Sequence, residues 1–183
     1  EAAVPWRWEV TAAAGVRAAP TFDPRERNSD GDVINEGFVV YGGVDPELGI
    51  KFGGHVGHFR TMLVLRTALD GGWSASPQLG MTLFDGSFSI ALMAGAGLQQ
   101  VAGTGFISTN LARVVTYAPQ TIAGFWTGVV SAEARYRLAA IGRTELAAVV
   151  DVNSAVALTG VETAFEAGEW TSAGLAVGIH LGG

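Results

Sequence analysis

The chain contains no cysteine, which excludes disulfides, thiolate metal sites and a cysteine nucleophile together. Charge is also scarce. Only 15 % of the 183 residues are Asp, Glu, Lys or Arg, against roughly 25 % in ordinary soluble domains. The net charge is −6 and no basic stripe exists to neutralise phosphates, so a nucleic-acid partner is excluded. Long hydrophobic runs are missing too. No stretch approaches the roughly 18 uninterrupted apolar residues that a transmembrane helix needs. Yet apolar residues make up 49 % of the chain, and the mean hydropathy is +0.32. A membrane protein of this composition must cross the bilayer as a barrel.

What is present is alternation. In WRWEVTAAAGVR (6–17) the even positions are apolar or small, while the odd ones carry Arg7, Glu9 and Arg17. A charged loop follows, and NEGFVVYGGV (35–44) reads as a second strand ended by a turn at Asp45-Pro46-Glu47. GIKFGGHVGHFRTMLVLRTAL (49–69) reads as one long strand with a glycine irregularity near Gly57, with two strands as the alternative. In QLGMTLFDGSFSIALMAGAGL (78–98), a type I′ turn at Asp85-Gly86 sets Leu83 opposite Phe88, Met81 opposite Ile90 and Leu79 opposite Leu92. All the bulk then lies on one face. A hairpin turning at Ile141-Gly142 likewise puts Tyr136 opposite Leu146, and Arg137 opposite Glu145 on the other face. WTSAGLAVGIHLG, near the end, repeats the rule. The segments 99–120 and 157–169 read as longer connections with room for short strand extensions.

This pattern predicts one all-β domain over residues 1–183, an antiparallel up-and-down barrel of eight strands, with ten as the main variant. Turns are short at one rim and longer at the other. The face made of Gly80, Ala91, Gly95, Gly97, Gly174, Ala176 and Gly178 is too bare of charge to be a solvent surface. The apolar face is therefore the outside, and small and charged residues fill a narrow lumen. Trp6, Trp8, Phe84, Phe88 and Tyr136 fall toward the short-turn rim, and Trp73, Phe125, Trp126 and Trp170 toward the other, as two interfacial girdles.

In this architecture the chain resembles the small eight-stranded outer-membrane barrels of the OmpA and OmpX type. The resemblance covers nearly the whole chain and rests on no local signature. It implies a bacterial outer-membrane location, no cofactor and no catalysis, with membrane lipid as the first partner. It further implies a structural or anchoring role, alone or within a larger envelope assembly. Members commonly end in an aromatic residue, whereas this chain ends His180-Leu181-Gly182-Gly183. The first residues, EAAVPW, are compatible with a mature exported chain.

Several residues invite sharper readings. Arg7, Glu9, Arg17, Glu133, Arg135, Arg137, Glu145, Asp151 and His180, with Lys51 and His55, fall on lumen positions. They are read as a plug of mutually satisfied ion pairs rather than an ion path. His55 and His58, three apart on a strand, would point to opposite faces and so do not form a metal pair. In the loop, Asn28, Asp30 and Asp32 place oxygen ligands at alternate positions as a weak calcium candidate, but Gly37 stands where a bidentate Glu would be needed. The competing classes are a soluble lipocalin-like binding barrel and a lipid-modifying outer-membrane enzyme. The latter would need a serine near a histidine on the outer face.

Overall fold

The computed structural model describes residues 5–22, 38–69, 71–84, 86–108, 115–121, 124–160 and 166–183. Eight strands close into a ring: β1 (Arg7–Phe22), β2 (Phe38–Val56), β3 (Phe59–Ala68), β4 (Trp73–Thr82), β5 (Phe88–Gln100), β8 (Phe125–Ile141), β9 (Thr144–Ala157) and β10 (Thr171–Gly182). Each is antiparallel to its neighbours, and β1 pairs with both β10 and β2, which leaves the ring without an edge. Two further strands, β6 (Ala102–Ser108) and β7 (Val115–Thr121), form a hairpin within the β5–β8 connection. They are not staves. The ring is eight-stranded, and the ten-strand variant does not form.

The register fixes the shape. Stepping from Trp8 through its successive partners Gly54, Thr61, Leu79, Ala94, Val130, Ser154 and Ala173 returns to β1 at Ala18, ten residues further along. Eight strands with that stagger tilt by about 40° and form a wall of about 8 Å radius, which side chains can fill. So narrow a wall bends sharply and crowds inward Cβ positions against the next strand. A Cβ on Gly15 would lie 2.0 Å from the Leu175 carbonyl oxygen. Inward glycine here is a condition of curvature as well as a way to leave space.

The strand count agrees with the sequence reading for two errors that cancel. No turn forms at Asp45-Pro46-Glu47; β2 runs straight through it to Val56. The long strand expected over 49–69 instead turns at Gly57-His58, with Val56 paired to Phe59. Gly57 has φ +58° and nothing within 4 Å of where a Cβ would sit. Gly57→Ala should therefore cost only the left-handed backbone penalty, about 1–2 kcal/mol. Urea unfolding in detergent micelles checks this; no change in midpoint would mean the turn relaxes to another type.

Both predicted hairpin registers are displaced by two residues. Met81 pairs with Leu92 and the Leu83 amide donates to the Ile90 carbonyl, so the β4–β5 connection is longer than a two-residue turn. In β8–β9 Tyr136 pairs with Ala148, and a bulge between Arg137 and Ala139 brings the turn to Gly142-Arg143, one residue past the expected Ile141-Gly142. An even displacement leaves every face assignment intact, because side chains alternate with period two. The segment 99–120 does hide strands, β6 and β7.

Candidate functional site: a charged lumen within an uncharged wall

Every Asp, Glu, Lys and Arg carried by the eight barrel strands falls on the inward register. They are Arg7, Glu9 and Arg17 on β1; Asp45, Glu47 and Lys51 on β2; Arg60 and Arg66 on β3; Glu133, Arg135 and Arg137 on β8; and Glu145 and Asp151 on β9. The outward register carries Val10, Ile50, Phe52, Leu65, Leu79, Met81, Leu92, Val150, Val152, Leu175, Val177 and Ile179, all exposed. The same alternation that makes these strands sorts charge from hydrocarbon.

Inside, the charges interlock. Glu133, fully buried, is the hub: Lys51 Nζ donates to its Oε2 at 2.9 Å, and Arg135 Nε to its Oε1 at 2.5 Å. Arg60 reaches the same Oε1 at 3.4 Å and also bonds Glu9. Lys51 bridges onward to Asp151 Oδ1 at 2.5 Å. Arg66 joins Asp151 at 3.2 Å to Glu47 at 3.4 Å. Arg135 Nη2 donates to Glu9 Oε2 at 2.6 Å, and the His55 ring donates to the other Glu9 oxygen. Glu9, Glu47, Glu133 and Asp151 thus balance Lys51, Arg60, Arg66 and Arg135. Balance is what burial requires, since an uncompensated charge in a low dielectric costs several kcal/mol, on the order of 3–5.

His180 closes the network. Its Nε2 lies 3.1 Å from Arg135 Nη1 and its Nδ1 lies 3.1 Å from Thr11 Oγ1. A guanidinium only donates, so Nε2 accepts, the imidazole is neutral, and Nδ1–H donates to Thr11. Arg17 lies 3.7 Å from Asp45. At the short-turn rim, Arg137 and Glu145 form the ion pair expected of them at 2.7 Å, but in a solvent-exposed position. Arg7 is likewise exposed at that rim and lies outside the buried cluster. The loop residues Asn28, Asp30 and Asp32 lie outside the described residues. Among the described residues no group of three or more His, Asp or Glu could hold a metal ion.

Arg60 and Arg66 were not legible as lumen residues, because the missed turn at Gly57-His58 reverses the parity of everything after it, and Glu47 was not, because Asp45-Pro46-Glu47 reads as a turn rather than as part of β2. The signal was present. Folding the sequence about Gly57-His58 pairs Val56 with Phe59, Phe52 with Leu63 and Ile50 with Leu65, all apolar.

Beyond the charges the lumen changes character. Ser131 Oγ donates to Gln78 Oε1 at 2.9 Å, and Gln78 Nε2 donates to Ser76 at 3.0 Å. Further out, Val101, Phe125, Val129, Ala155, Ala157 and Trp170 form an apolar stopper. The Phe125 and Trp170 rings meet edge to face, with centroids 5.1 Å apart. These two aromatics are therefore not girdle residues, as expected from sequence; both point inward and are buried. Trp73 and Trp126 remain exposed at the long-loop rim, and Trp6, Trp8, Phe84, Phe88 and Tyr136 at the other.

No protein-family model and no curated protein sequence matches the chain. Solved structures do. Neisserial surface protein A superposes with a TM-score of 0.57 at 15 % identity, covering 94 % of this chain and 95 % of that one. OprG of Pseudomonas aeruginosa, an outer membrane protein, covers 97 % of this chain and 95 % of its own at 11 % identity and a TM-score of 0.43. Ail, the attachment invasion locus protein of Yersinia pestis, solved with the heparin analogue sucrose octasulfate, covers 96 % and 99 % at 8 % identity and a TM-score of 0.39. In fold, the chain is a closed eight-stranded antiparallel barrel of the OmpA and OmpX architecture, built as Neisserial surface protein A is built.

Proposed function

We propose that the chain, as one domain over residues 1–183, is an integral outer-membrane barrel with a structural or anchoring role in the bacterial envelope. The observation that carries this reading is the outward register of the eight strands, which holds no charged residue while the inward register holds them all. A soluble lipocalin-like barrel needs the reverse arrangement. The lumen charges serve as a structural plug: they pair with one another, and the apolar stopper closes the outer end, so the barrel holds its shape without conducting. The lipid-modifying reading has no support from His180, whose two nitrogens are engaged with Thr11 and Arg135 inside the barrel. Lipid is the first partner; other envelope proteins would meet the long loops or the wall.

Detergent extraction tests the reading. The protein should partition with detergent, show heat-modifiable gel mobility and give no single-channel conductance in planar bilayers. Recovery as a soluble monodisperse protein without detergent would overturn it. Val177, exposed on the middle of β10, offers a finer probe. Val177→Arg should destabilise folding into lipid vesicles by about 2–4 kcal/mol, read from urea titrations, and a change near zero would place that wall in water.

A further inference from the structure

The β6–β7 hairpin leaves the barrel between β5 and β8 but hydrogen-bonds to β2, three places away in the ring. Its path is made possible by a low rim. β3 pairs with β2 only as far as Ala68 opposite Glu47, and β3 and β4 are joined by the short connection 69–72. Above that point the β2 edge is vacant, and β6 takes it up. The dock is small: four residue pairs, from Phe38 with Phe106 to Tyr41 with Gly103. The two feet of the hairpin are Val101 and Phe125, exposed by 1 % and 2 %, and both belong to the apolar stopper beside Trp170.

We propose that this hairpin is a strap that seats the stopper. Undocked from β2, it loosens Val101 and Phe125 and admits water past Trp170 as far as the ion-pair layer. The strap therefore governs access to the outer half of the lumen and not passage through it, because the Glu133 cluster still closes the inner half. A four-pair dock is the shortest strand pairing among the described residues, and local opening begins where the fewest contacts must break.

The absence of native cysteine permits a clean test. Ala157, exposed by 2 % within the stopper, is replaced by cysteine, and the rate of labelling by a water-soluble maleimide is measured in detergent. The comparison variant carries Ala157→Cys with residues 102–121 replaced by a short glycine-serine link. Labelling should rise severalfold without the strap, while the heat-modifiable band and the absence of conductance persist. Equal rates in the two folded proteins would overturn the proposal. Should the shortened chain not fold, Val39→Cys with Gly105→Cys cross-links the dock in the full chain. Exchange of the Ala157 amide, which donates to the Trp170 carbonyl at 2.9 Å, should then be slower in the oxidised than in the reduced form. Identical exchange would equally overturn it.

Discussion

Glu133→Ala is expected to cost the folded barrel about 3–5 kcal/mol, the range found when one partner of a buried ion pair is removed. Its two oxygens hold three cations, Lys51, Arg60 and Arg135, and all four side chains are buried. Removing it leaves four cations facing three carboxylates among buried side chains. Lys51 keeps Asp151, and Arg60 and Arg135 keep Glu9, which is why the barrel should weaken rather than fail. Glu133→Gln, which preserves shape but not charge, should fall between the two. The exposed pair is the control: Arg137→Ala at the short-turn rim should cost no more than about 1 kcal/mol. Urea unfolding in micelles measures all three. A Glu133→Ala loss as small as that of Arg137→Ala would mean that water occupies the lumen and screens the network.

Trp170→Ala should have an effect of similar size, about 3–5 kcal/mol, for a different reason. The indole is completely buried and packs edge to face on Phe125. Its removal empties much of the stopper, and the neighbouring Ala155 and Ala157 are too short to fill the space. Trp170→Phe should cost far less than its lost volume suggests. The Trp170 Nε1 donor has no acceptor among the described residues, and phenylalanine removes that group along with part of the ring. Trp126→Ala, at an exposed position of the same rim, separates a packing loss from a general effect of losing tryptophan. Thermal unfolding followed by the gel-mobility shift ranks the three, and equal losses for Trp170→Ala and Trp126→Ala would contradict an internal stopper.

The membrane barrel was legible because its main signal is local. Alternation in 6–17, 78–98 and 171–181 states which residues share a face without reference to any partner strand, and all those assignments hold in the structure. The two hairpins show the limit of that signal. Both registers are off by two residues, yet Met81 and Leu92 remain outward and Gly80 and Ala91 inward. The Gly57-His58 turn shows the opposite case: one missed turn inverted β3 and hid Arg60 and Arg66. For Phe125 and Trp170 strand parity points inward, whereas their place near the rim suggests a girdle, and parity decides.

The sequence by itself determined the two-faced strands and, in 6–17, 78–98 and 171–181, which face is apolar. These follow from the fixed two-residue period of a strand and the cost of placing charge against hydrocarbon. Only the tertiary structure decided the ten-residue stagger, the choice of Glu133 as hub for cations from β2, β3 and β8, the burial of Trp170, and the docking of β6 on β2. Each of these depends on which residues of distant strands come level. A slip of two residues moves that level while leaving the pattern along every strand unchanged.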